Sequence, residues 1–346
     1  MANHNAAASN FGWDFQINAG ILLFIENIAD YKSLIMEGND EDIEIVKINN
    51  KKIYIQAKAI VRYYNTDNNT RNLKGALKTL NDAAIHSDGE LYIYLTNSNN
   101  PFNNDSKILF DKEIISNVRW EDLEPSIHDT ILKIIEDNNL ENIKKKLDKF
   151  RVRTFFFYGE EQSERYSKIS ERVRIFLDSF KLDIPSSTYM EIIPIWQSLL
   201  SCEASNTNKA KKINKQDFIW PLISIILDSC YPSEILSDCL ENDGNRILDK
   251  YKQLINYRTL NYKLISKIKN DYKIETSKNN WPYFKSISYY ISENWEKFSY
   301  LADEIENEKP YKELLIKIII FKILYKANTT QHILDKVNYE NKATNN

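Results

Sequence analysis

The chain has 346 residues, 42% hydrophobic and 27% charged, with a net charge of -3, the balance of an ordinary folded protein with enough core for two domains. That charge excludes a bulk attraction of the whole molecule to nucleic acid, so any DNA contact has to come from local patches or from an assembly. The three cysteines, Cys202, Cys230 and Cys239, have no C-x-x-C spacing and no neighbouring His, which excludes a zinc site or disulfide framework and predicts reduced, mostly buried thiols.

Residues 1–10, MANHNAAASN, are small and polar and are expected to be disordered; they lack the charged-then-apolar order of a signal peptide. From Trp13 to Ile28, apolar residues at three- and four-residue spacing predict a helix packed on a core. Strands are expected at about 33–36, 42–48 and 52–60, the last two joined at Asn49 and Asn50 as a hairpin. Leu73, Ala76, Leu77, Leu80 and Ala84 then form one helical stripe within 70–87, and 90–96 (ELYIYLT) reads as a buried strand. The order is α-β-β-β-α-β. Helices near 121–136 and 139–148, a strand at 151–158 and a helix at 163–180 complete the first half. Beyond 186 the pattern is helical throughout, at 191–202, 218–229, 246–268, 282–303 and 310–327, with an exposed loop at 205–216. The most apolar stretch, Leu314 to Tyr325, is about a dozen residues long and carries Lys317 and Lys322, too short and too charged to span a bilayer. No membrane contact and a cytoplasmic location are therefore expected.

Residues 36–60, MEGNDEDIEIVKINNKKIYIQAKAI, place an acidic cluster beside a Gln-x-Lys pair. Side chains alternate along a strand, so Tyr54, Gln56 and Lys58 share one face and Ile53, Ile55 and Ala57 the other; Asp42 and Glu44 likewise oppose Ile43 and Ile45. A two-residue turn would mix the faces, whereas a three-residue loop over 49–51 pairs Asp42 with Lys58 and Glu44 with Gln56. Hard Mg²⁺ or Mn²⁺ takes oxygen ligands. Asp42 is the central candidate because it opens the Ile-x-Ile strand, although Asp40 and Glu41 stand beside it. Glu37 is a second carboxylate, acting directly or through water, and Gln56 offers its amide oxygen. Lys58 is placed to orient or deprotonate a water and to offset charge on a phosphate. With Gln in place of a carboxylate, the site should bind metal weakly until substrate phosphate completes the coordination.

Glu37, Asp42-Ile43-Glu44-Ile45 and Ile55-Gln56-Ala57-Lys58 together resemble the E…D…QxK variant of the PD-(D/E)xK nuclease superfamily. More narrowly, they resemble the double-stranded DNA endonuclease domain of CBASS effectors and the nuclease subunit of Lamassu-type and related ABC three-component systems. Gly12-Trp13-Asp14-Phe15-Gln16 is similar to the start of that domain's first helix, and Tyr94-Leu95-Thr96-Asn97-Ser98 to its strand after the core helix. The resemblance implies a restriction-endonuclease-like αβββαβ core, an α/β fold at 11–185, followed by an all-α assembly domain at 186–346. It also implies a metal-dependent endonuclease held in an antiphage complex with an SMC-like ATPase and a small accessory subunit, which oligomerises on release and cuts double-stranded DNA. The absence of mixed structure after residue 186 favours the Lamassu-like form. Two other readings stay open: a non-catalytic DNA-binding scaffold, and a CBASS-like nuclease gated by a nucleotide second messenger, for which no Gly-rich phosphate loop is present. Gln16 either bonds into the site or caps local backbone. Lys144, Lys145, Lys146, Lys149, Arg151 and Arg153 form the most basic run, either a track for a DNA backbone or a solvated helix face.

Overall fold

The computed structural model describes residues 3–61, 68–86, 88–102, 115–159, 161–182, 184–205, 212–228, 241–282, 285–305 and 309–337. Cys230 and Cys239 and most of the expected loop at 205–216 lie outside them. The chain divides into two compact units, Met1–Ile225 with Val337–Asn346, and Ile226–Lys336.

The first unit follows the expected order: α1 (Asn3–Glu26), β1 (Tyr31–Met36), β2 (Ile43–Lys47), β3 (Lys52–Lys58), α2 (Asn69–His86) and β4 (Leu91–Thr96). Then come β5 (Ser116–Arg119), α3 (Pro125–Asp137), α4 (Glu141–Lys144), β6 (Phe150–Thr154), α5 (Gln162–Asp178), α6 (Thr188–Ala204), β7 (Ile213–Asn214) and α7 (Lys215–Asp228). The seven strands form one mixed sheet, ordered β5-β6-β4-β3-β2-β1-β7. β3, β4 and β6 run parallel, as a helix between β3 and β4 requires, and the outer pairs are antiparallel.

Both faces of the sheet are covered. On one, Leu73, Ala76, Leu77 and Leu80 of α2 and Ile127, Ile131 and Ile135 of α3 bury Tyr54, Tyr92, Tyr94, Phe150 and Val152. On the other, α1 packs on β1, β2 and β3 and is itself covered by α5 and α6. A helix enclosed in this way is apolar on most sides, and Ile17, Ile21, Leu22, Leu23, Phe24 and Ile25 are all buried. Helix α1 begins at Asn3, within the stretch expected to be a disordered tail, and the run Ala6-Ala7-Ala8 has high helix propensity.

The expected boundary at 185/186 falls inside the first unit. α6 packs on α1 and β1, and β7 pairs with the edge of β1, Ser33 with Asn214 and Leu34 with Ile213. Two residues are too few to show a period, which is why this stretch reads as strand-free. β5 was likewise missed: it is a four-residue edge strand alternating buried and exposed. Cys202 is a free, exposed thiol rather than a buried one.

The second unit is helical among its described residues: α8 (Glu241–Lys250), α9 (Lys252–Thr259), α10 (Tyr262–Lys278), α11 (Ser286–Asn294), a 3₁₀ segment Trp295–Ile305 and α12 (Lys309–Val337). The periodic segment 246–268 is broken because Asn261 caps α10, its side chain accepting from Leu264 N–H at 3.1 Å. Leu315, Ile316, Ile318, Ile319, Ile320 and Leu324 of α12 are fully buried in the core of this unit, which accounts for the apolar run from Leu314 to Tyr325.

Candidate active site

The site is built on the turn between β1 and β2 and on the end of β3. The turn is closed by two backbone bonds, Glu37 N–H to the Asp42 carbonyl at 2.8 Å and Gly38 N–H to the Glu41 carbonyl at 3.0 Å. Glu37 takes a left-handed φ of 49°. Gly38 is required by close approach: a Cβ there would overlap the carboxylate of Glu44. Glu44 is 2% exposed and held by Lys52 Nζ at 2.8 Å, and it accepts from Asp40 N–H at 3.4 Å, which fastens the turn to the sheet.

The hairpin register differs from the expected one. Ile43 lies opposite Ile55, Glu44 opposite Tyr54 and Ile45 opposite Ile53. One step further brings Asp42 level with Gln56, not Lys58, and Glu44 is not level with Gln56. The loop remains odd in length, with Lys47 N–H closing on the Lys51 carbonyl at 2.9 Å, so the faces are preserved while the pairing slides by two residues. Asp42 and Gln56 thus meet directly. Gln56, 2% exposed, donates through Nε2 to Asp42 Oδ2, which also accepts from Ala57 N–H at 3.0 Å. The Gln16 side chain of α1 bonds to the same carboxyl. Burial raises the Asp42 pKa above its ordinary value, against the opposing pull of Lys58, the Ala57 N–H and Gln16. Lys58 is level with Thr96 in the parallel pair with β4, and its stem lies near Gly75 of α2.

Glu41 completes the group. It is 4% exposed, and neither carboxylate oxygen has a hydrogen-bond partner among the described residues. Its pKa is pushed up to about 9, by burial first and by the charges of Asp42, Glu44 and Asp40, with Lys58 opposing. Strict alternation would send Glu41 and Asp42 to opposite faces. β2 begins only at Ile43, so both residues belong to the turn and alternation does not separate them. Its place beside Asp42 in Asp40-Glu41-Asp42 was the only sequence signal for it.

Glu37 is tied to Asp42 through backbone, and the charges acting on the Glu41 carboxyl are those of Asp42, Lys58, Glu44 and Asp40. Four of the six residues of the basic run are ion-paired. Lys146 and Lys149 pair with Asp88 at 2.7 and 2.8 Å, Lys144 with Glu136 at 3.2 Å, and Arg153 with Glu26 at 2.8 Å. Arg151 donates to the Asp148 and Phe150 carbonyls, and Lys145 is exposed. Asp88 precedes β4, whereas Lys58 is level with its last residue, Thr96, so strand rise puts about 20 Å between Asp88 and the site. Arg153 pairs with Leu95 and so points to the opposite face from Lys58. Among the described residues no group of three or more His, Cys, Asp or Glu converges as a metal site. Nor is any described helix long and apolar enough to cross a membrane.

No protein-family model and no curated protein matches the chain. Among solved structures it is similar to the Acinetobacter baumannii Cap4 SAVED/CARF-domain receptor with the cyclic trinucleotide 3'3'3'-cAAA, at 15% identity and a TM-score of 0.39, over 62% of this chain and 44% of that one. The chain therefore matches less than half the length of that receptor.

Proposed function

We propose that the protein is a divalent-metal-dependent endonuclease for double-stranded DNA, with a restriction-endonuclease-like core in its first unit. The observation that carries this reading is the convergence of Asp42, Gln56 and Lys58 at the adjoining ends of β2 and β3, beside a second buried carboxyl without a partner. Two neighbouring buried acids with raised pKa values and one nearby amine leave an excess of acceptor groups, which suits a hard cation. Asp42 and the Gln56 amide would hold Mg²⁺ or Mn²⁺, which supplies Lewis acidity toward a phosphodiester. Gln16 and the Ala57 N–H fix the direction of the Asp42 carboxyl. Lys58 brings its amine to the same place: as the ammonium it would offset charge gathering on the scissile phosphate and orient the attacking water, and only in its neutral form could it take that water's proton.

The role in antiphage defence, with an SMC-like ATPase and an accessory subunit as partners and oligomerisation on release, rests on the sequence resemblance. The helical second unit is assigned to assembly on the same ground. Cleavage of supercoiled plasmid with Mg²⁺ or Mn²⁺ by the wild type and by Lys58→Ala tests the enzymatic reading: loss of cutting in the variant supports it, and equal cutting by both, or none by the wild type, sinks it.

A further inference from the structure

A carboxylate withdrawn from water normally keeps hydrogen-bond partners, because an unsatisfied buried acceptor costs about 1–3 kcal/mol and a charged one more. Glu44, two strand positions beyond Asp42, obeys this rule through Lys52 and the Asp40 N–H. Glu41 does not: it is 96% removed from solvent by its 4% exposure, and both oxygens lack a donor. Around it stand the carboxyls of Asp42, Glu44 and Asp40, against one amine, Lys58. Lys52 is already engaged by Glu44. The backbone of the turn that presents Glu41 is held by the two bonds between 37–38 and 41–42 and by the Glu44 clasp.

We propose that Glu41 is the second carboxylate of the Asp42 cation site, in the place the sequence assigns to Glu37, so that two consecutive residues of one turn grip the divalent ion. This rests on the endonuclease reading above and sharpens it. Consecutive residues serve only because the turn lies outside the strand, where alternation no longer parts them. The cation supplies the charge that the buried oxygens of Glu41 lack, and the Gln56 amide adds a third, neutral donor. Glu37 is left to shape the turn through its left-handed backbone.

Mn²⁺ binding to the full-length protein without DNA, followed by the electron paramagnetic resonance of the free ion, tests this apart from any cleavage. Glu41→Gln keeps the size and the neutral form of the side chain, and its circular dichroism and unfolding midpoint in chelator establish that it folds. Loss of a direct ligand should weaken Mn²⁺ binding by about tenfold or more in Glu41→Gln and in Asp42→Asn. Glu37→Gln should lose clearly less affinity than either, since no direct ligand is lost. The Mn²⁺-induced rise in melting temperature should follow the same order. Wild-type binding by Glu41→Gln alongside loss in Asp42→Asn, or a loss in Glu37→Gln as large as that in Asp42→Asn, overturns the assignment of Glu41 and leaves the nuclease reading standing. No Mn²⁺ binding by the wild type at millimolar concentrations, either alone or with DNA added, overturns both.

Discussion

Replacing Glu41 by Gln should make the metal-free protein more stable, and by an amount that grows with pH. The folded-state pKa of Glu41 is pushed up to about 9 from 4.5, so between these values the folded protein keeps a proton that the unfolded chain releases. Stability then falls as pH rises, by about 1.4 kcal/mol per pH unit for one such group, and levels off above the folded pKa. Gln carries no such proton. From pH 6 to pH 8 the advantage of Glu41→Gln over the wild type should therefore widen by about 2–3 kcal/mol, less whatever water reaches the carboxyl on local opening. Urea unfolding in the presence of chelator, followed by circular dichroism at several pH values, measures this difference directly. A difference that does not change with pH, or a variant less stable than the wild type at pH 8, would refute the claim that the carboxyl is buried without a partner. The same substitution is expected to impair cation binding, so stability and function pull in opposite directions at this residue.

Gly38→Ala should destabilise the first unit by about 1–3 kcal/mol, because its Cβ displaces the Glu44 carboxylate from Lys52 and the Asp40 N–H; unchanged thermal stability would show that the clasp is dispensable. Gly75→Ala in α2 should do the reverse, adding about 0.5–1 kcal/mol with plasmid cleavage retained, since the new Cβ meets only Lys58 Cε, at 4.0 Å, and helix propensity improves. A Gly75→Ala protein that melts lower than the wild type would count against the packing described there. The pair Lys146→Ala and Lys149→Ala should leave DNA cleavage within about twofold of wild type, because both amines are engaged by Asp88 at the far end of β4; a tenfold loss would place DNA on that end of the sheet.

The strongly periodic elements were legible from the residues. The stripe from Leu73 to Leu80 faces Tyr54 and Tyr92, and the αβββαβ order is the observed one, because such patterns state which side of an element is removed from water. Parity of the hairpin loop was legible too, since a one-residue slip would turn Ile43, Ile45, Ile53 and Ile55 to the wrong side. A slip of two leaves every face intact, and hydrophobic pattern is blind to it. That is why Asp42 was expected opposite Lys58 and stands level with Gln56. The four-residue β5 and two-residue β7 were too short to carry a period, and their pairing with β6 and β1 depends on distant chain.

By itself, then, the sequence determined the polar identity of the site, Asp42, Gln56 and Lys58 on a hairpin, and the helical character of the second unit. Those properties follow from residue chemistry and from local periods of two and 3.6. Tertiary structure decided that Glu41 is buried without a donor, which residues of the basic run are ion-paired, and where the first unit ends. Each of these depends on burial, on ion-pair partners drawn from other elements, or on edge pairing across the sheet. Glu41 shows the difference most plainly: in the chain it is one acid among several, and only the packing around the turn removes it from water without giving it a donor.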